Sequence, residues 1–242
     1  MKIETTEFAG VVVATPAGRL ELASYAALRD GLLKLAADAP VALVLRLGAG
    51  FEVPSATMLS VFTTVWMKVS QWPDIPMALL AETGEHREKL RSSGVSRYVR
   101  TVGDLQEAID AVQQPPRRRS RCVPLPCSPT APLLARAVVR EACELWDLPE
   151  ITDDAVLVAS ELVENAVRHA NSAPVLRVEL RDSGLALAVR DDDPAPPLMS
   201  APSSAVPRHR GVQLVDQISV AWGCAPSSGG GKVVWAVLGL PG

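Results

Sequence analysis

The sequence has few of the features that mark secreted, membrane-spanning or zinc-binding proteins. Its 242 residues include only four cysteines, and no two of them form a C-x-x-C pair, so we expect reduced, structural thiols and no zinc site. It contains no run of about 18 apolar residues, which argues against a membrane span. Residues 1–4 lack the basic and apolar segments of a secretory signal, so we expect a cytoplasmic protein.

A strongly basic balance is also missing. The formal net charge is -3 and the pI is near 5.7, so the chain has no overall basic field of the kind that attracts nucleic acid, and direct nucleic-acid binding is not expected. Hydrophobic residues make up 48% of the sequence and charged residues 21%. Because a domain typically has about 100–150 residues, this length predicts two domains.

The boundary between them is predicted from a composition shift at residues 113–122. Two prolines, Pro115 and Pro116, are followed by four arginines within six residues, a composition that blocks helix continuation and keeps the chain hydrated. We interpret this segment as a linker between domains at 1–112 and 123–242. Docking onto an acidic surface or nucleic acid is the alternative interpretation.

Hydrophobic periodicity differs between the two halves. Before the linker, strand-like runs at 10–15, 41–47 and 77–81 alternate with helical patterns at 22–37, 55–69, 85–91 and 102–112, which predicts an α/β domain. After it, helices at 131–146 and 153–170 precede strands at 175–181, 185–190 and 233–238, which favours an α+β two-layer sandwich. The alternation of apolar and charged residues at 175–181 predicts that one face of the sheet, which carries Arg177, Glu179 and Arg181, is exposed to solvent.

The helix at 153–170, which Thr152 is expected to cap, carries the most informative polar residues. Glu161, Asn165, Arg168 and His169 have spacings that place them on one face of an otherwise apolar helix. Such a stripe either lines a site or is the solvent face of the helix. By contrast, the glycine-rich segment 227–232 lacks phosphate-loop spacing and precedes a strand, so it predicts a hairpin turn.

Residues 159–170, Ala-Ser-Glu-Leu-Val-Glu-Asn-Ala-Val-Arg-His-Ala, resemble the N box of the gyrase, chaperone and histidine-kinase ATPase superfamily in the form found in anti-sigma-factor serine kinases. The resemblance covers about residues 123–240 and implies a Bergerat-type ATP-binding fold. It implies that Asn165 holds Mg²⁺, that Glu161 is the general base and that Asp191 accepts the adenine amino group. It extends the ATP contacts to His169, Arg210, Gly211 and Val212.

Two departures from that family affect the nucleotide site. Asp191 is followed by Asp192, Asp193 and Pro194 where a glycine is usual, and adjacent carboxylates repel phosphates. His209 replaces the leading glycine of the second glycine box, where a side chain can obstruct phosphate. Residues 195–207 would form a lid over the nucleotide.

The N-terminal half resembles the sulfate-transporter and anti-sigma-antagonist (STAS) domain in its order of elements and in residues 44–56. Ser55 matches the phosphoacceptor serine of that family, although Val53, Pro54 and Ala56 replace its neighbours. An ordinary N-cap serine is the alternative.

Together the resemblances imply a regulator of the partner-switching type that binds ATP and Mg²⁺ and phosphorylates a serine of a STAS-type antagonist, controlling sigma-factor availability. The expected partners are that antagonist or a sigma factor, with an intramolecular domain contact and a homodimer as further candidates. The alternative is a catalytically inactive protein-interaction module with a degenerate nucleotide site.

Overall fold

The computed structural model describes residues 1–112, 119–170, 172–182, 184–195 and 210–240; within these ranges the side chains of His169 and residues 210–212 are outside the description. The chain divides into two compact units, Met1–Pro116 and Arg117–Gly242. No helix in the described part of the chain has the length and apolar character that crossing a membrane requires.

The N-terminal unit is an α/β fold built on a mostly parallel sheet. Its strands are β1 (Lys2–Phe8), β2 (Val11–Arg19), β3 (Ala42–Leu47), β4 (Phe51–Glu52), β5 (Met77–Ala81) and β6 (Arg100–Val102). Its helices are α1 (Leu22–Ala37), α2 (Ser60–Gln71), α3 (Gly84–Ser93) and α4 (Leu105–Val112). The sheet order is β1-β2-β3-β5-β6, with β4 beside β2. Only β1 pairs antiparallel; the other pairings are parallel.

Both faces of the central parallel strands β3 and β5 are buried, as is usual for parallel strands. On one face Leu43, Leu45 and Leu79 join a core with residues of α1 and α2. On the other face Val44 and Leu80 pack with residues of α4. This explains why β3 and β5 are nearly continuous apolar runs instead of alternating ones.

Two predicted helices of this unit differ from the structure. The predicted helix at 102–112 is strand β6 followed by α4, because the residues at 100–102 pair with β5. The predicted helix at 55–69 begins as a 3-10 helix, Ala56–Leu59, and becomes α2 at Ser60.

In its described residues, the C-terminal unit consists of three α-helices packed against a five-stranded antiparallel sheet. Its strands are β7 (Arg119–Pro124), β8 (Val175–Arg181), β9 (Gly184–Asp191), β10 (Ala221–Pro226) and β11 (Lys232–Leu238), in the order β10-β11-β9-β8-β7. Its helices are α5 (Ala131–Leu145), α6 (Thr152–His169) and α7 (Arg210–Ile218). One core joins apolar residues of α5 and α6 to alternate residues of the strands, such as Leu176, Leu187 and Val234.

Three details of this unit correct the sequence-based predictions. The predicted linker ran to Cys122, whereas β7 starts at Arg119 because it pairs with β8. The predicted wet face is wrong for Glu179 and Arg181, which form an ion pair with side chains only 4% and 2% exposed. Thr152 does not cap α6: the cap position is Ile151, and the Thr152 hydroxyl donates to the Leu148 carbonyl oxygen at 2.8 Å.

Candidate functional site

Helix α6 carries the first part of the candidate site. Glu161 and Asn165, one turn apart, are both half-buried, whereas Arg168 is exposed. The Arg168 Nη2 atom donates to Glu164 Oε1 at 2.5 Å, an i,i+4 pair on the solvent side of the helix. Among the described side chains of the predicted polar stripe, Glu161 and Asn165 therefore lie toward the interior and Arg168 lies toward solvent.

The environment of Glu161 raises the pKa of its carboxyl group above the ordinary value in water. Burial is the main cause that raises the pKa of Glu161, and the nearby Glu164 carboxylate raises it further. Arg168 and Arg136 oppose this shift. Arg136 is held in place because its Nε donates to Ser160 Oγ at 2.9 Å. A carboxylate whose proton affinity is increased in this way is better suited to accept a proton.

The second part of the candidate site is Asp191 at the end of β9, a strand that packs against α6. Its side chain is only 1% exposed. Burial raises the pKa of Asp191, while the hydrogen bonds from Lys232 and from the Asp193 backbone lower it. The Asp193 amide donates to Asp191 Oδ1 at 2.9 Å, which holds the chain in a tight turn after the strand.

Lys232, which the sequence did not single out, contacts Asp191 directly. Its Nζ donates to Asp191 Oδ1 at 3.0 Å, to the Asp193 carbonyl oxygen at 2.9 Å and to Asp193 Oδ2 at 3.2 Å. Strand pairing brings the two residues together, because Lys232 is opposite Asp191 in the β11–β9 register. The hairpin expected at 227–232 is confirmed by the pairing of β10 with β11.

Gly231 makes this close approach sterically feasible. A Cβ atom at Gly231 would lie 1.8 Å from the Asp191 carbonyl oxygen, so no larger residue fits while the two strand ends stay in contact. The Asp191 carboxylate, expected to accept a hydrogen bond from adenine, already accepts one from Lys232 in a buried position. In this arrangement the residues around Asp191 do not fit an adenine amino group.

The remaining predicted nucleotide contacts fall at the start of α7 or outside the described residues. Arg210, Gly211 and Val212 form the first turn of α7, but their side chains lie outside the described part, as does that of His169. His209 and residues 196–207 of the predicted lid are outside it as well.

A second candidate site lies in the N-terminal unit around Ser55. Ser55 and Thr57 are exposed, and their hydroxyl oxygens are 2.7 Å apart. Ser55 occupies the N-cap position of the 3-10 helix, yet its side chain makes no capping hydrogen bond. The ordinary capping role considered for this serine is therefore absent, and its hydroxyl is accessible from solvent.

Helix α3 fixes the chain that leads to Ser55. His86 Nε2 lies 2.8 Å from the Phe51 carbonyl oxygen, and Lys89 Nζ donates to the Val53 carbonyl oxygen at 2.6 Å. Because a carbonyl oxygen only accepts, His86 carries its proton on Nε2 here. Next to these contacts is a cavity of about 390 Å³, lined by Arg19, Ala49, Phe51, Glu52, Val53, Pro54, Thr83, Glu85, His86 and Lys89. The exposed serine is thus attached to a firmly held segment.

No protein-family model and no curated protein matches the chain. Solved structures do match its first half. An anti-sigma factor antagonist from Mycobacterium paratuberculosis is 21% identical over 47% of this chain and 94% of its own, with a TM-score of 0.42. A variant of RsbS from Moorella thermoacetica is 17% identical over 47% and 96%, with a TM-score of 0.39. SpoIIAA in its unphosphorylated form is 14% identical over 46% and 96%, with a TM-score of 0.37. The α/β fold predicted for the first half is the fold observed.

Proposed function

We propose that the chain is a partner-switching regulator whose N-terminal unit presents Ser55 as a phosphoacceptor and protein-contact residue. The observation that carries this proposal is the exposed Ser55 hydroxyl, which is not used for capping and lies beside the Thr57 hydroxyl. A kinase needs such an accessible hydroxyl, and phosphorylation there adds a charge of about -2 that changes which partner surfaces can bind. The partners would be an anti-sigma-type kinase, another STAS-type antagonist or a sigma factor.

The test is phosphorylation of the purified full-length chain by a purified anti-sigma-type serine kinase with radiolabelled ATP. We expect label on the peptide that contains Ser55, and a decrease of at least about tenfold in Ser55→Ala. Ser60→Ala is the matched control, because Ser60 is also exposed and only five residues away. Equal labelling of the wild type and Ser55→Ala would show that another residue is the acceptor.

A second candidate function belongs to the C-terminal unit: an ATP- and Mg²⁺-dependent serine kinase. It is favoured by Glu161, whose pKa burial raises, and by Asn165 one turn further on α6. Asn165 would supply an oxygen ligand to Mg²⁺, and Glu161 would accept the proton of the attacking hydroxyl. ATP would supply the phosphoryl group. The engaged Asp191 carboxylate argues against this candidate and favours a purely protein-binding role.

Transfer of label from ATP to a purified STAS antagonist tests the kinase candidate. If the chain is a kinase, Glu161→Ala should lower the rate by about 10²–10⁴-fold, the usual contribution of a general base. Glu164→Ala is the control, since Glu164 lies on the exposed side of the same helix. Absence of transfer by the wild-type chain would eliminate this candidate and leave the interaction role.

A further inference from the structure

Lys232 is a buried cation beside Asp191 at the candidate nucleotide site. Its side chain is 4% exposed, and burying an ammonium group so completely is unfavourable unless partners replace the lost water. Here an ammonium group with three N–H donors has three oxygen acceptors, all contributed by Asp191 and Asp193. The lysine is therefore satisfied within the protein and does not depend on a ligand.

The same contacts restrict what Asp191 can bind. Asp191 Oδ1 accepts from both Lys232 Nζ and the Asp193 amide, and the whole carboxylate side chain is 1% exposed. A donor from outside, such as the amino group of an adenine, would have to enter this closed position and compete with the ammonium group for the carboxylate. Loss of the Asp191 bond would leave the buried Lys232 with only its two Asp193 acceptors, which is unfavourable.

The backbone reinforces this arrangement. Lys232 is fixed opposite Asp191 by strand register, and the absence of a side chain at Gly231 lets the two strand ends approach closely. The turn after β9 is held by the Asp193 amide and, through Lys232, by the Asp193 carbonyl and carboxylate oxygens. The lysine thus connects two strand ends and is not free to swing into solvent.

We propose that Lys232 is an internal substitute for a ligand amino group, which closes the Asp191 end of the C-terminal unit to adenine nucleotides. This inference rests on the second candidate function, because it assumes that the fold around α6 can otherwise accept a nucleotide. Removal of the lysine side chain leaves a carboxylate acceptor and vacant space at the same position. A hydrogen-bond donor such as the adenine amino group suits that position, whereas the guanine carbonyl oxygen, itself an acceptor, does not.

Calorimetric titration of the full-length chain with ATP and Mg²⁺ tests this proposal. We expect no saturable binding by the wild type and a gain in affinity of at least about tenfold in Lys232→Ala. GTP should show no comparable gain. Arg181→Met is the matched control, because it also removes a buried cation from the same sheet but does so away from Asp191, and it should leave ATP binding unchanged.

Folding of the variant must be verified, because Lys232→Ala leaves the carboxylates of Asp191 and Asp193 close together without a cation. The double variant Lys232→Ala with Asp193→Asn relieves this repulsion and should show the same gain in ATP affinity. Circular dichroism and thermal unfolding identify which variant is folded, and either folded variant decides the question.

The outcomes separate the two claims. If the wild type binds ATP as tightly as the folded lysine variants, Lys232 does not close the site and only this inference fails. If neither the wild type nor any folded variant binds ATP, the nucleotide-site assumption itself is wrong and the inference falls with it. A gain confined to the variants that lack Lys232 supports both.

Discussion

Burying an ionised side chain costs several kcal/mol unless a partner of opposite charge replaces the water that it loses. Arg181 and Glu179, both nearly inaccessible, satisfy this condition for each other. We expect Glu179→Gln to lower the free energy of unfolding by about 3–5 kcal/mol, because it leaves an unpaired buried cation. Urea denaturation measures this change. The double variant Glu179→Leu with Arg181→Met should lose much less, and an equal loss would contradict the ion-pair explanation.

Glu161 makes the folding stability depend on pH. Because its pKa is raised in the folded protein, ionisation costs folding stability above that pKa, and the cost disappears as pH falls below the unfolded pKa of about 4.3. Glu161→Gln mimics the protonated form. It should therefore raise the unfolding free energy at pH 7 and have little effect near pH 4. Denaturant unfolding at the two pH values checks this, with Glu164→Gln as the exposed control.

The residues of the candidate site differ in how well the sequence predicts them. Helical spacing placed Glu161 and Asn165 on one face of one helix, together with Arg168 and His169, and the resemblance to the ATPase superfamily singled out these two. Lys232 was not predicted, because its contact with Asp191 depends on strand pairing between residues 41 positions apart. The only signal for it was a charged residue at the start of an otherwise apolar strand. The alternation of apolar and charged residues at 175–181 likewise predicted that Glu179 faces solvent, whereas tertiary packing buries it.

Among the structural elements, the start of β9 depends on Gly184, which lies against the end of β11. Its φ of +143° is a conformation that other residues rarely adopt, and a Cβ there would lie 2.3 Å from the Leu238 carbonyl oxygen. We expect Gly184→Ala to cost about 3 kcal/mol or more, from backbone strain plus a clash with backbone. Urea denaturation provides the measurement.

Gly94 is the matched comparison for that prediction. It ends α3 with a φ of +77° and has open space around its missing Cβ. Gly94→Ala should therefore cost only the left-handed strain, about 1–2 kcal/mol. If the two variants lost the same stability, the steric explanation for Gly184 would be wrong.

The elements predicted well are those whose own sequence determines them. Helix α1 was predicted with the observed bounds, and β5 likewise, because α1 has apolar residues at helical spacing and β5 is a short, continuous apolar run. Strands β7 and β10 were not predicted. The segment Ala-Trp-Gly-Cys-Ala-Pro of β10 has weak strand propensity, and it becomes a strand because it pairs with β11.

For the whole molecule, each unit has its own hydrophobic core and its own sheet. We therefore expect fragments 1–116 and 117–242 to fold when expressed separately. Each should show a single cooperative unfolding transition and dispersed amide signals in NMR spectra. A fragment that lacks cooperative unfolding would mean that its core is incomplete without the rest of the chain.

The outermost strands of the two sheets have a consequence for solubility. Edge strands expose unpaired backbone groups that can recruit other chains into fibrils, and charges or prolines hinder such recruitment. Strand β1 carries Lys2, Glu4 and Glu7, β7 carries two arginines and ends on Pro124, and β10 ends on Pro226. These charges and prolines lie where such recruitment would begin, so we expect their replacement by valine or isoleucine to promote the formation of amyloid fibrils.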